Sequence, residues 1–113
     1  MNIQIFGKAK CFDTKKAERY FKERRIKYQF IDLNRKGLSK GEYQSVKKAV
    51  GGFNELVDNS SKLYEQLYIA YLASEEAKEE ALLEHPLLFK TPIVRDGKNA
   101  TVGYKPEIWK TWE

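Results

Sequence analysis

The chain holds one cysteine, one histidine, one methionine and three prolines in 113 residues. A single cysteine excludes an internal disulfide and any zinc site built from cysteines alone, so the thiol needs another explanation. The lone histidine, His85, sits beside Pro86 at an expected helix end and has no companion ligands at metal-binding spacing, so it reads as structural and no metal is expected. Long apolar runs are missing too. The longest stretch free of charge, Gln66 to Ser74, covers nine residues, against the ~18 that a membrane-spanning helix requires. Met1-Asn2-Ile3-Gln4-Ile5-Phe6 lacks the basic start, long apolar core and small-residue cleavage site of a signal peptide. The expected location is the cytoplasm, with no membrane partner. No repeat, low-complexity tract or linker divides the chain.

What is present is enough apolar mass to fold: 42% hydrophobic and 13% aromatic residues, with 33% charged. That composition excludes a wholly disordered chain, and the length predicts a single domain over residues 1–113. The net charge of +5 is unevenly spread. Residues 1–48 hold 14 Lys/Arg against 5 Asp/Glu, a net of +9, whereas residues 49–113 hold 7 against 11, a net of −4. A basic half attracts acidic proteins, nucleic acid or small anions, although solvated helix faces carry such charge as well. Trp109, Trp112 and the tyrosines are not interleaved with glycines as on an RNA-binding sheet, so direct nucleic-acid binding is not expected.

The pattern along the chain is strand, loop, helix, strand, then helices, then a strand pair and a closing helix. Ile3 to Phe6, stopped by Gly7, reads as a buried strand. Ala17, Tyr20 and Phe21 mark one apolar helix face, and Tyr28 to Leu33 a second strand, which completes a βαβ unit of about 30 residues. Ser39 and Glu42 form a capping box, with Leu38 and Tyr43 as the hydrophobic staple, for a helix that ends at Gly51-Gly52. Leu63, Leu67 and Tyr71 predict a helix through that stretch, and Ser74-Glu75-Glu76 opens another that stops before Pro86. Pro92 to Val94 and Ala100 to Val102 predict a hairpin with a five-residue loop, Arg95 to Asn99. Pro106 then suits the first position of a helix whose apolar face is Ile108, Trp109 and Trp112. The fold class is α/β: a βαβ…ββα core with a helical subdomain inserted at about residues 39–85.

Cys11 stands between the first strand and the first helix, where unpaired backbone N–H groups and the helix dipole stabilise a thiolate. Lys8, Lys10, Lys15 and Lys16 add positive charge nearby, and both effects predict a pKa below ~8.5 and a nucleophilic sulfur. In Cys11-Phe12-Asp13-Thr14 a hydroxyl occupies the place of the second sulfur of a redox Cys-x-x-Cys. Thr14 can donate a hydrogen bond to the thiolate, or, with Asp13, cap the helix.

The strand, Cys-x-x-Thr at a helix start, Thr91-Pro92 before a strand pair and a C-terminal helix resemble the thioredoxin-like fold. Tyr64-Glu65-Gln66-Leu67, Glu84-His85-Pro86-Leu87-Leu88, Pro92-Ile93-Val94 and Gly103-Tyr104 are similar to the arsenate reductase (ArsC) family, which includes the Spx-type transcriptional regulators. The resemblance puts Cys11 at the catalytic cysteine and implies a cis peptide bond at Thr91-Pro92, beside the thiol. It also implies departures. The three arginines that grip the oxyanion in arsenate reductases fall on Thr91, near Asp58 to Ser60, and on Tyr104 or Lys105, so arsenate reduction should be inefficient. The Cys-x-x-Cys switch of Spx lacks its second cysteine.

Two functions follow from the resemblance. One is a monothiol oxidoreductase: Cys11, assisted by Thr14, attacks a glutathione-type mixed disulfide held by Lys8, Lys10 or Lys15 and by the Thr91-Pro92 backbone. Glutathione or another low-molecular-weight thiol would be a co-substrate, with no bound cofactor. The other is an Spx-like regulator that docks on RNA polymerase, with Cys11 as a one-thiol sensor or redox-inert.

Overall fold

A computed structural model describes all residues, 1–113. β1 (Ile3–Gly7), α1 (Phe12–Glu23) and β2 (Tyr28–Asp32) come first, with β1 and β2 parallel. α2 (Lys40–Val50), α3 (Lys62–Gln66) and α4 (Glu75–Glu84) follow, with short 3-10 turns between and after them. β3 (Ile93–Asp96), β4 (Asn99–Val102) and α5 (Pro106–Trp109) complete the chain. The four strands form one sheet in the order β2-β1-β3-β4, in which β3 runs antiparallel to both neighbours.

Alternation along the strands builds a core on each face of the sheet. Ile3, Ile5 and Val94 point to α1 and α5, where Ala17, Tyr20, Phe21 and Trp109 complete a buried cluster. The indole of Trp109 is wholly buried, and its Nε1 donates to Thr101 Oγ1 at 2.7 Å, so the one polar atom of this large side chain is satisfied. Phe6, Ile31 and Ile93 point the other way, into a larger cluster with Tyr43, Val46, Phe53, Leu82, Leu88 and Phe89 from the helical insertion.

The insertion is held by its caps and by one buried polar pair. Ser39 Oγ accepts from Glu42 N–H and the Glu42 carboxylate from Ser39 N–H, closing the expected capping box, and Gly51, at φ 104°, ends α2. Tyr43 Oη, deep in the core, donates to Glu79 Oε2 on α4, which also pairs with Lys47 Nζ at 2.7 Å. Burial and the Glu79 carboxylate push the Tyr43 pKa far up, so this phenol remains a donor.

Two local expectations are corrected. The helix predicted through Leu63, Leu67 and Tyr71 breaks after Gln66: Tyr68 adopts φ 54°, a 3-10 turn follows, and Ile69 rather than Tyr71 enters the core. Two short segments bend around the globule where one straight amphipathic helix would have left Ile69 outside. The β3–β4 loop has two residues, not five, because Asp96 pairs with Asn99. Gly97, at φ 60°, occupies the first turn position, the residue that a type II′ hairpin requires.

Candidate functional site

β1 delivers the chain to the thiol, and the turn after it is tight: Cys11 N–H donates to Lys8 O at 3.1 Å. Cys11 is the N-cap residue of α1, with extended dihedrals, and its carbonyl accepts from Lys15 N–H at 3.2 Å. No side chain caps this helix end, so neither Asp13 nor Thr14 plays the capping role. The free N–H groups of the first turn are therefore left facing the sulfur. Gly7 is needed for close approach: a Cβ there would stand 2.4 Å from Thr14 Cγ2 and 2.8 Å from Thr14 Oγ1.

Across the sheet end, the Thr91-Pro92 peptide is cis, as the resemblance implies. The Cys11 thiol is half-buried and donates to Thr91 O at 3.7 Å, which places the residue before the cis-proline against the sulfur. Pro92 is buried, and its carbonyl accepts from Gly103 N–H at 2.8 Å. The Thr91 N–H has no partner in the chain and is free to pair with an incoming backbone.

Burial works against the thiolate, but hydrogen bonds from the Thr14 and Thr91 side chains and from the Thr14 and Asp13 N–H groups outweigh it. The Cys11 pKa is lowered as a result. Thr14 is 1% exposed and its hydroxyl makes no hydrogen bond in the structure, which leaves it available to donate to a thiolate at Cys11. Local hydrogen bonds lower the pKa, and Lys8 stands close enough for its charge and that of the thiolate to attract. Lys10 and Lys15 are exposed and lie outside the cleft beside the thiol.

Lys8 is anchored. Its ammonium donates to Leu87 O at 2.8 Å and Phe89 O at 3.1 Å, tying the end of β1 to the end of the insertion. Burial lowers its pKa, opposed in part by Asp58 and the Cys11 thiolate. Lys8 also lines a cleft of about 520 Å³ with Glu55, Asp58, Lys90, Thr91 and Lys105. Three ammonium groups and two carboxylates share that space, so it is polar but not a concentrated anion grip.

Sequence reasoning missed Phe12 and Glu55. Phe12 follows the thiol directly and is 79% exposed, an apolar contact next to the sulfur. Its signal was legible, since it is a large apolar residue outside the buried Ala17, Tyr20 and Phe21 face of α1. Glu55 is brought to the cleft by a 3-10 turn of the insertion, and no local pattern announces it.

Comparison with known proteins agrees with this geometry. A curated relative, the global transcriptional regulator Spx 2 of Oceanobacillus iheyensis, is 35% identical over 109 residues, spanning 92% of this chain and 78% of that protein. An ArsC family related protein from Bacteroides fragilis superposes with a TM-score of 0.85 at 21% identity, covering 100% of this chain and 98% of that one. An arsenate reductase from Vibrio cholerae gives 0.84 at 24% identity over 96% and 94% of the two chains. The profile of the ArsC family matches residues 6–112, and with a thioredoxin-like α/β fold and a cysteine at the head of the first helix, the chain belongs to that family.

Proposed function

We propose that the protein is a monothiol oxidoreductase acting on mixed disulfides of the glutathione type. The observation that carries this reading is the setting of Cys11: a helix N-cap thiol, hydrogen-bonded at 3.7 Å to Thr91 O, with its pKa lowered by four local donors. In the reaction the Cys11 thiolate attacks one sulfur of the mixed disulfide. The new Sγ–S bond forms as the old S–S bond breaks, and the departing thiolate takes a proton from water. Cys11 is the only cysteine, so a second external thiolate must attack the adduct, releasing reduced Cys11 and a new disulfide. Thr14 serves as donor to the thiolate, Thr91 N–H and O as the backbone that meets substrate, and Lys8, Lys90 and Lys105 as cations for its carboxylates.

Arsenate is a poor substrate on this reading. The cleft offers lysines without the planar two-pronged donors of arginine, and Glu55 and Asp58 oppose a dianion. The test is incubation with oxidised glutathione followed by mass analysis, beside an arsenate turnover assay, on wild type and Cys11→Ser. A glutathione adduct on wild type alone, with negligible arsenate turnover, is expected. Robust arsenate turnover, or no adduct, contradicts the reading.

The 35% identity to a protein named as a transcriptional regulator favours a second reading, in which the fold is a docking module and RNA polymerase the partner. Direct binding to purified polymerase that survives Cys11→Ser, with no thiol exchange in the wild type, would establish it over the first.

A further inference from the structure

A second cleft lies along α1, from Lys16 to Arg24 just past its last turn. It measures about 330 Å³ and is lined by Lys16, Arg19, Tyr20, Glu23, Arg24 and Tyr104. None of these residues lines the cleft beside Cys11. Three cations face one acid, and none of the three is in an ion pair, since the pair between Lys47 and Glu79 is the only one in the molecule.

Two of the three cations are seated on aromatic rings. The Arg24 guanidinium lies 3.8 Å from the centroid of the Tyr20 ring, and Lys16 Nζ is 5.7 Å from that of Tyr104. A guanidinium resting on a ring face keeps its in-plane N–H donors unspent. Tyr20 supplies the second observation. It is 5% exposed, and its hydroxyl is shut off from solvent with no hydrogen-bond partner. The ring packs edge-on against Phe21 and Trp109, a role phenylalanine would fill equally well. Packing therefore accounts for the ring but not for the hydroxyl, which makes no hydrogen bond and has the Glu113 carboxylate as its acceptor neighbour; buried groups of that kind are rare in folded chains.

We propose that this cleft binds the phosphate monoester of a small molecule. The dianion would take charge-assisted hydrogen bonds from Lys16, Arg19 and Arg24 and one from Tyr20 Oη, while the half-exposed Tyr104 ring contacts the organic part. A monoester matches three cations better than the single charge of a diester. The volume leaves room for a group attached to the phosphate. Burial raises the Tyr20 pKa, Arg24 opposes it and Glu113 adds to it, so the phenol stays protonated and able to donate. Glu23 is the one acid in the lining, and Glu113, outside it, acts on the phenol as an internal competitor.

The test is a titration of the full chain, followed by calorimetry and amide NMR, with phenyl phosphate, inorganic phosphate and a single-stranded oligonucleotide in separate arms at low ionic strength. Saturable binding of phenyl phosphate is expected, tighter than inorganic phosphate, with shifts at Lys16, Arg19 and Arg24 and not at Cys11. Arg24→Gln should raise the Kd about tenfold or more. Tyr20→Phe should also raise it several-fold while leaving the melting temperature of the free protein unchanged or higher, a combination that a purely structural hydroxyl does not produce. Glu113→Gln should tighten binding. Shifts confined to the Cys11 cleft, an unchanged Kd in Arg24→Gln and Tyr20→Phe, or an oligonucleotide that binds more tightly than the monoester would each overturn the proposal.

Discussion

The two ends of α1 carry opposite specialisations. At its N-terminus hydrogen bonds lower the pKa of a sulfur that touches, through Thr91, a cleft whose three lysines are balanced by two carboxylates. Along the face from Lys16 to Arg24 there is no sulfur, and three unpaired cations surround an unpartnered phenol with one acid in the lining. The proposed nucleophilic chemistry and the proposed anion site are thus separated along one helix. An enzyme that reduces an oxyanion needs both in the same place. On the proposed reading, that separation is the reason arsenate reduction is expected to be inefficient here despite family membership.

The largest expected effect is on chemistry at one end alone. Cys11→Ser should abolish the glutathione adduct completely and leave phenyl phosphate affinity within twofold of wild type, read by mass analysis and calorimetry. An equal loss at both clefts would mean that the two sites are one.

Next in size is the effect of loosening the insertion, which walls the thiol cleft but contributes nothing to the other. Glu79→Ala leaves the buried Tyr43 hydroxyl without its acceptor and should destabilise the fold by about 1–3 kcal/mol, measured by urea unfolding. The pH dependence has a definite sign. Burial raises the Glu79 pKa, but bonds from Lys47 and Tyr43 outweigh it and the net value lies below the usual carboxylate range. Its stabilisation is therefore complete above the unfolded pKa of about 4.3 and is lost as pH falls through the lower folded value, a dependence that Glu79→Ala should flatten.

Lys8→Met should have a smaller effect, about 1–2 kcal/mol, because two hydrogen bonds to the Leu87 and Phe89 carbonyls vanish from a partly exposed group. Faster amide exchange at Lys90, whose N–H donates to Leu56 O, would report the loosened cleft. The smallest effect on stability belongs to Thr14→Val. The hydroxyl makes no bond in the thiol form, so unfolding should shift by less than about 0.5 kcal/mol while the Cys11 pKa rises.

How much of this was legible follows from the range of the forces involved. Cys11 at the head of a helix, the Ser39 and Glu42 capping box and the Gly51 stop depend on residues within a few positions of each other, and sequence reading located all three. The cis Thr91-Pro92 bond was reached only through resemblance, since no local pattern distinguishes it from a trans proline opening a strand. The break at Tyr68 and the arrival of Glu55 in the cleft depend on how the insertion wraps the larger core, which periodicity does not encode. The lysines near Cys11 part company for a related reason: Lys10 and Lys15 lie in solvent, whereas Lys8 reaches carbonyls about 80 residues away.

The central claim is that local hydrogen bonds lower the Cys11 pKa and so raise its thiolate fraction. Its most direct test is the rate of alkylation by iodoacetamide followed against pH, on wild type and on Thr14→Val. The predicted midpoint for wild type lies below the free-cysteine value of about 8.5, with Thr14→Val shifted upward. A wild-type midpoint at or above that value, or one that Thr14→Val leaves unmoved, would contradict it.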